Sequence, residues 1–93
     1  MAAKKPALAV DGITLNVKTE DLDDFELVEA LADANSEDVD VQMQAVVRVF
    51  RLTYGDDYAR VKKELREKNG GKLTTEIMMG FFGATMEALG AKN

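Results

Sequence analysis

Cysteine, histidine and tryptophan are all missing from this 93-residue chain, and each absence removes a class of function. Without cysteine there are no disulfides and no thiolate zinc or iron–sulfur sites. Without histidine there is no imidazole for a nucleophile triad or a proton shuttle. Without tryptophan, a stacking platform for single-stranded nucleic acid has little to build on. No apolar run approaches the roughly 18 to 20 residues that span a bilayer, and Met1-Ala2-Ala3-Lys4-Lys5-Pro6 is not followed by the long apolar stretch of an export signal. The expectation is a cytosolic chain with no membrane partner.

What is present is ordinary globular material. Hydrophobic residues make up 46% and charged residues 31% of the chain, enough apolar content for one small core and too little length for two. The formal charge of −5 argues against a nucleic-acid partner, because phosphate contacts supply most of that affinity. The charge is unevenly placed. Residues 11 to 40 hold eleven acids and a single base, Lys18, while residues 48 to 72 hold eight bases and four acids. Either the two halves pair their opposite charges across solvated helix faces, or the acidic face meets a basic partner.

The pattern reads as mainly α, a small single domain of about four helices with a short N-terminal β-hairpin packed on them. Residues 1–6 form a flexible tail, 7–90 the domain and 91–93 a second tail. In the hairpin, Asp11-Gly12 suits a two-residue type I′ turn, and Ile13, Leu15 and Val17 alternate with polar residues. Asp23 with Glu26 three residues on caps the first helix, which buries Phe25, Val28, Leu31 and Ala32 on one face and ends near Asn35-Ser36. The second carries Val39, Met43, Val46, Val47, Phe50 and Tyr54 as its core stripe and stops at Gly55. Its β-branched residues leave a buried strand over Val46 to Leu52 as the alternative. Asp56 or Asp57 caps the third helix, which buries Tyr58, Val61 and Leu65, spaces Arg60/Glu64, Lys63/Glu67 and Glu64/Lys68 four apart, and stops at Asn69-Gly70-Gly71. Thr74 or Thr75 caps a fourth helix that closes at Gly90.

No motif in the chain carries chemistry. Asp38-Val39-Asp40 and Asp21-Leu22-Asp23-Asp24 lack the central Gly and closing Glu of a calcium loop. Gly70-Gly71-Lys72-Leu73-Thr74 has neither the spacing nor the preceding strand of a phosphate loop. The expectation is therefore no metal, no cofactor and no catalysis. The fourth helix has the most unusual pattern. Glu76, Gly80, Gly83, Glu87 and Gly90 share a narrow face, and at about 100° per residue the apolar remainder spans roughly 220°, about twice a normal core stripe. The rest of the domain could wrap that excess, or a partner helix could cover it. On the wheel, Phe81, Thr85, Met78, Leu89 and Phe82 point to the core. Met79 and Met86, with the rim of Phe82 and the Gly80/Gly83 face beside them, form the candidate partner-binding edge. Close approach of a neighbouring backbone would account for the two glycines.

The run Asp23-Asp24-Phe25-Glu26-Leu27-Val28-Glu29-Ala30-Leu31-Ala32-Asp33 resembles the signature helix of the small tail assembly chaperones of long-tailed bacteriophages and prophages. The likeness continues through Arg48 to Tyr58 and Lys62 to Arg66 and covers roughly residues 11 to 90. The resemblance implies a non-catalytic factor of the host bacterial cytoplasm, absent from the mature virion, that keeps the helical tape measure protein soluble during tail assembly. It also implies the short form of the family; an extended form, made by frameshifting, recruits the tail tube protein. A second copy of the chain is a further candidate partner. A different class remains open: a small acidic adaptor or antitoxin-like inhibitor that binds a basic protein.

Overall fold

The computed structural model describes residues 8–91, so the expected tail at 1–6 and residues 92–93 of the expected tail at 91–93 lie outside the described residues, while residue 91 belongs to the last helix. Two strands, β1 (Leu8–Val10) and β2 (Ile13–Leu15), precede four helices: α1 (Phe25–Asp33), α2 (Val39–Tyr54), α3 (Tyr58–Lys68) and α4 (Thr75–Ala91). A 3-10 turn over Thr19–Leu22 leads into α1, and another over Gly55–Asp57 joins α2 to α3. The domain is mainly α with an N-terminal hairpin, as the sequence implies.

β1 and β2 are antiparallel, with Leu8 opposite Leu15 and Val10 opposite Ile13. Asp11 and Gly12 both take positive φ, 52° and 82°, which is the backbone a type I′ turn requires. The alternation then buries Leu8, Val10, Ile13, Leu15 and Val17 and exposes the residues between them. This apolar face joins a core built from Val49, Phe50 and Tyr54 of α2, Val61 and Leu65 of α3, and Met78, Phe81 and Leu89 of α4. Phe50 meets Phe82 and Tyr54 meets Phe81, each with ring centroids 5.7 Å apart in tilted geometry. At the centre, the Tyr54 and Thr85 hydroxyls hydrogen-bond at 2.9 Å, and Thr85 Oγ1 also donates to the Phe81 carbonyl at 2.8 Å.

The helix ends follow the sequence closely, with shifts of one residue. Asp24, rather than Asp23, caps α1 by accepting from the Glu26 amide at 2.9 Å. Asp38 caps α2 by accepting from the amides of Asp40 and Val41. Residues 46–52 are helical, which removes the strand alternative. Gly55 ends α2 at φ 53°, and Gly70 and Gly71 follow α3 at φ 67° and 90°, the latter returning its amide to the Arg66 carbonyl. Thr74 Oγ1 accepts from the Ile77 amide at the start of α4, and that helix continues past Gly90 to Ala91.

The larger corrections concern α1 and α2. Leu27 and Ala30 are the residues of α1 that face inward, whereas Phe25, Val28, Leu31 and Ala32, the expected core face, are exposed. The small side chains Ala30 and Ala45 are both fully buried, and small residues let helices approach closely. The α2 stripe is divided: Phe50 and Tyr54 are buried, Val46 is half-buried, and Val39, Met43 and Val47 are exposed. The cause is position along the axis. From Leu31 through Gln44 no residue is buried, so the α1–α2 turn and the first half of α2 project as an arm beyond the core.

Asp57 does not cap α3 through its side chain. Its carboxylate instead accepts from the Asn16 amide at 2.8 Å, the more distant Asn16 Nδ2 at 3.4 Å, and pairs with Arg60 at 3.1 Å. Arg60 also pairs with Glu64 at 2.7 Å and donates to the Thr14 carbonyl. The carboxylates of Glu64 and Asp57 hold its guanidinium above its ordinary pKa. The Lys63/Glu67 and Glu64/Lys68 pairs do not close among the described residues.

Two outcomes follow from this packing. Asp57→Ala leaves the Asn16 amide without its acceptor and should cost about 2 kcal/mol in chemical denaturation, with Asp57→Asn costing less because an acceptor oxygen remains. An unchanged denaturation midpoint for Asp57→Ala would remove the proposed tie between hairpin and helices. Burial also pushes the Tyr54 hydroxyl up to about 12, against the opposing effect of its Thr85 hydrogen bond. The folded state therefore holds the phenol proton more tightly than the unfolded state does. This stabilisation is complete below the ordinary tyrosine value of about 10 and is lost as pH rises from there through about 12. In a Tyr58→Phe variant, where Tyr54 is the only tyrosine, phenolate absorbance should rise near pH 12 together with loss of helical circular dichroism. Ionisation near pH 10 with the helices intact would contradict this.

Candidate docking surface

The expected binding edge on α4 is partly a surface and partly core. Met79 is 54% exposed, and Gly80 and Gly83 lie on the outside of the helix. Phe82 and Met86 are half-buried and pack against the core cluster. Phe81, Thr85, Met78 and Leu89 are buried, as the helical wheel requires. A Cβ placed on Gly80 or Gly83 meets nothing within 4 Å among the described residues, so the close backbone approach expected at these glycines is not made by any described element.

The surplus apolar surface lies mainly elsewhere. Besides Met79, the exposed large hydrophobic residues are Phe25, Val28 and Leu31 of α1 and Val39, Val41, Met43 and Val47 of α2. Leu31, Val39, Val41 and Met43 belong to the projecting arm and Val47 to its base, whereas Phe25 and Val28 stand on the first half of α1, where Phe25 lines a cleft with Leu52 to Asp56. Phe25 at 71%, Met43 at 63% and Val39 at 61% are more exposed than Met79. Met43 and Val47, with Gln44, Arg48 and Arg51, line a shallow groove along α2. Periodicity placed these side chains on helical stripes but could not say that the core ends before it reaches them.

Acids gather at the Phe25 end of this surface, while Arg48 and Arg51 flank Met43 and Val47. The Thr19–Leu22 turn, the start of α1 and the α2–α3 junction enclose an open cleft whose lining includes Glu20, Asp21, Asp23, Asp24 and Asp56, with Phe25 at its edge. Among the described residues no group of acids is arranged to hold a metal ion. The ion pairs that form join Arg48 to Asp33 at 3.1 Å and Arg60 to Asp57 and Glu64. Among the described residues, only Asp33 of the acids from Glu20 to Asp40 is paired to a base, so the described acidic and basic halves of the domain do not neutralise each other. Thr53 lines the cleft and is buried, and its hydroxyl oxygen lacks a hydrogen-bond partner.

The two methionines of α4 should separate in experiment. Met79→Asp should stay within about 0.5 kcal/mol of the parent because the side chain stands in solvent, whereas Met86→Asp should cost about 2 kcal/mol by setting a charge against the core. Equal losses in thermal unfolding would show that both sit in one environment.

Among the described residues, no helix is long and apolar enough to cross a membrane. Comparison of the chain with protein-family models, curated proteins and solved structures finds no match.

Proposed function

We propose that this chain is a non-catalytic holding protein that takes an amphipathic helix of a client on its α1–α2 arm. The observation that carries the reading is the exposure of Phe25, Val28, Leu31, Val39, Val41, Met43 and Val47 on one helical pair. Isolated exposed hydrophobics are common, but a concentration of them on one helical pair is what a docking surface needs. Each Val, Leu, Met or Phe side chain covered by a client contributes about 1.5 to 3 kcal/mol before association costs are subtracted. The likeness of residues 23–33 to the phage tail assembly chaperones gives the client a name: the tape measure protein, held soluble in the host bacterial cytoplasm by a factor absent from the finished virion. In this reading Met79 adds to the apolar surface from α4.

A second reading, an acidic adaptor or antitoxin-like inhibitor of a basic protein, is favoured by the unpaired acids around the arm. Gene neighbourhood separates the two: a very long downstream frame coding for a helical tape measure supports the chaperone, and an adjacent small basic toxin supports the adaptor.

Co-expression provides the direct test. The soluble fraction of the neighbouring tape measure protein should rise several-fold when this chain is present. It should return to the level seen without the chain for a Phe25→Asp/Met43→Asp variant whose own unfolding midpoint shifts by no more than about 2 °C, since both side chains are exposed. Equal solubility with and without the chain, or with the variant, would reject the chaperone reading.

A further inference from the structure

The cleft at the start of α1 carries more than charge. Six acids line it, among them Glu20, Asp23 and Asp56, and no described lysine or arginine does. Those three are exposed, and their side chains make no hydrogen bond or ion pair among the described residues. The last turn of α2 and its cap, Leu52 to Gly55, also line the cleft, so the negative end of that helix dipole adds to the carboxylates. A second observation is independent of charge. Thr53 lines the same cleft at 3% exposure, and its hydroxyl oxygen has no hydrogen-bond partner. A buried hydroxyl left unpaired is unfavourable, and a donor brought in through the cleft relieves that. Together these features call for a cation that donates hydrogen bonds.

The shape of the cation follows from the spread of the acids. No three of the described acids converge as a metal ion requires, so a point charge, whether a metal ion or an ammonium, meets too few carboxylates at once. A guanidinium is planar, offers five donors on a rigid fork and stacks on aromatic faces, and Phe25, 71% exposed, stands in the lining. The cleft is open and holds about 640 Å³, within the range that accepts ligands larger than one side chain. We propose that it takes an arginine side chain presented by a segment of a partner protein. The guanidinium is drawn by the unpaired carboxylates of Glu20, Asp23 and Asp56, donates to the Thr53 hydroxyl and lays its plane against Phe25. This goes beyond the docking of a client helix and stands without it, since no residue lining this cleft lines the groove beside Met43 and Val47.

Three blocked pentapeptides, alike except for a central arginine, lysine or citrulline, test this when titrated against the isotope-labelled chain by nuclear magnetic resonance. The arginine peptide should shift the amides of Thr53, Gly55 and Asp56. At low salt, where charge is least screened, it should bind about fivefold more tightly than the lysine peptide and at least tenfold more tightly than the neutral citrulline peptide. The variant Glu20→Gln/Asp23→Asn/Asp56→Asn changes exposed side chains without partners. It should keep the parent's unfolding midpoint and lose at least tenfold in affinity for the arginine peptide. Thr53→Val removes the hydroxyl from a side chain of the same shape; the midpoint should hold or rise, because no hydrogen bond is lost, and affinity should fall about threefold. Equal binding of the arginine peptide and either of the others, undiminished arginine affinity in either variant, or shifts confined to residues outside the cleft overturns the proposal. So does calcium chloride that moves the same amides at lower concentration than the arginine peptide, since the cleft would then be a metal site. A dimer in sedimentation that the triple variant dissolves also overturns it, since a second copy would then fill the cleft. Failure of the tape measure solubility test with the arginine peptide still bound rejects the client and leaves the cleft standing; the reverse result rejects the cleft alone.

Discussion

The carboxylate of Asp57 is the joint on which the two parts of the domain depend. The hairpin has no length of its own to be stable, and two strands of three residues each are marginal unless their apolar face is covered. Hydrophobic burial brings β1 onto α4 and the core, but burial is not directional. Direction comes from Asp57, which accepts the Asn16 amide at 2.8 Å, and from Arg60, which reaches the Thr14 carbonyl and closes the loop through its own pair with Asp57. One acid at the α2–α3 junction thereby sets the register of the outgoing strand against the helices. The buried Tyr54–Thr85 hydroxyl pair plays the corresponding part between α2 and α4, fixing which faces meet where leucine and phenylalanine alone would allow sliding.

How much of this was legible in the sequence depends on the kind of signal. Local backbone chemistry was plain: Asp11-Gly12 demanded a type I′ turn, and Gly55 and Gly70-Gly71 marked where helices had to stop, because positive φ there is a property of a few residues. Helical periodicity also identified four helices. What it could not supply was the far wall of the core. In α1 the larger apolar residues Phe25, Val28 and Leu31 outweigh Leu27 and Ala30 in any stripe, yet Leu27 and Ala30 are the pair that is buried. In α2 a single stripe from Val39 to Tyr54 runs off the end of the core halfway along. A sequence reports that a face is apolar; whether another element reaches it is decided by chain lengths and crossing points that no local pattern encodes.

The same limit explains the candidate site. The sequence located an excess of apolar surface on α4, the helix whose composition displayed it most openly. The fold resolves most of that excess, since Phe82 and Met86 lean on the core and only Met79 stands clear. The residues left uncovered belong to helices that looked like ordinary amphipathic core elements. Charge asymmetry is the sequence signal that coincides with them, because the stretch from Thr19 to Val47 holds no base and cannot neutralise itself.

An element without buried residues from Leu31 to Gln44 has a further consequence in amide hydrogen exchange. Opening the arm exposes little new apolar surface, so its amides exchange through local fluctuations, while those of Val49 to Tyr54 and of α4 wait for global unfolding. The domain then contains two levels of protection within one continuous helix, divided near Ala45. A bound helix would raise the lower level toward the upper, so that occupancy of the arm is recorded as slowed exchange in the first half of α2 and as little change in the second.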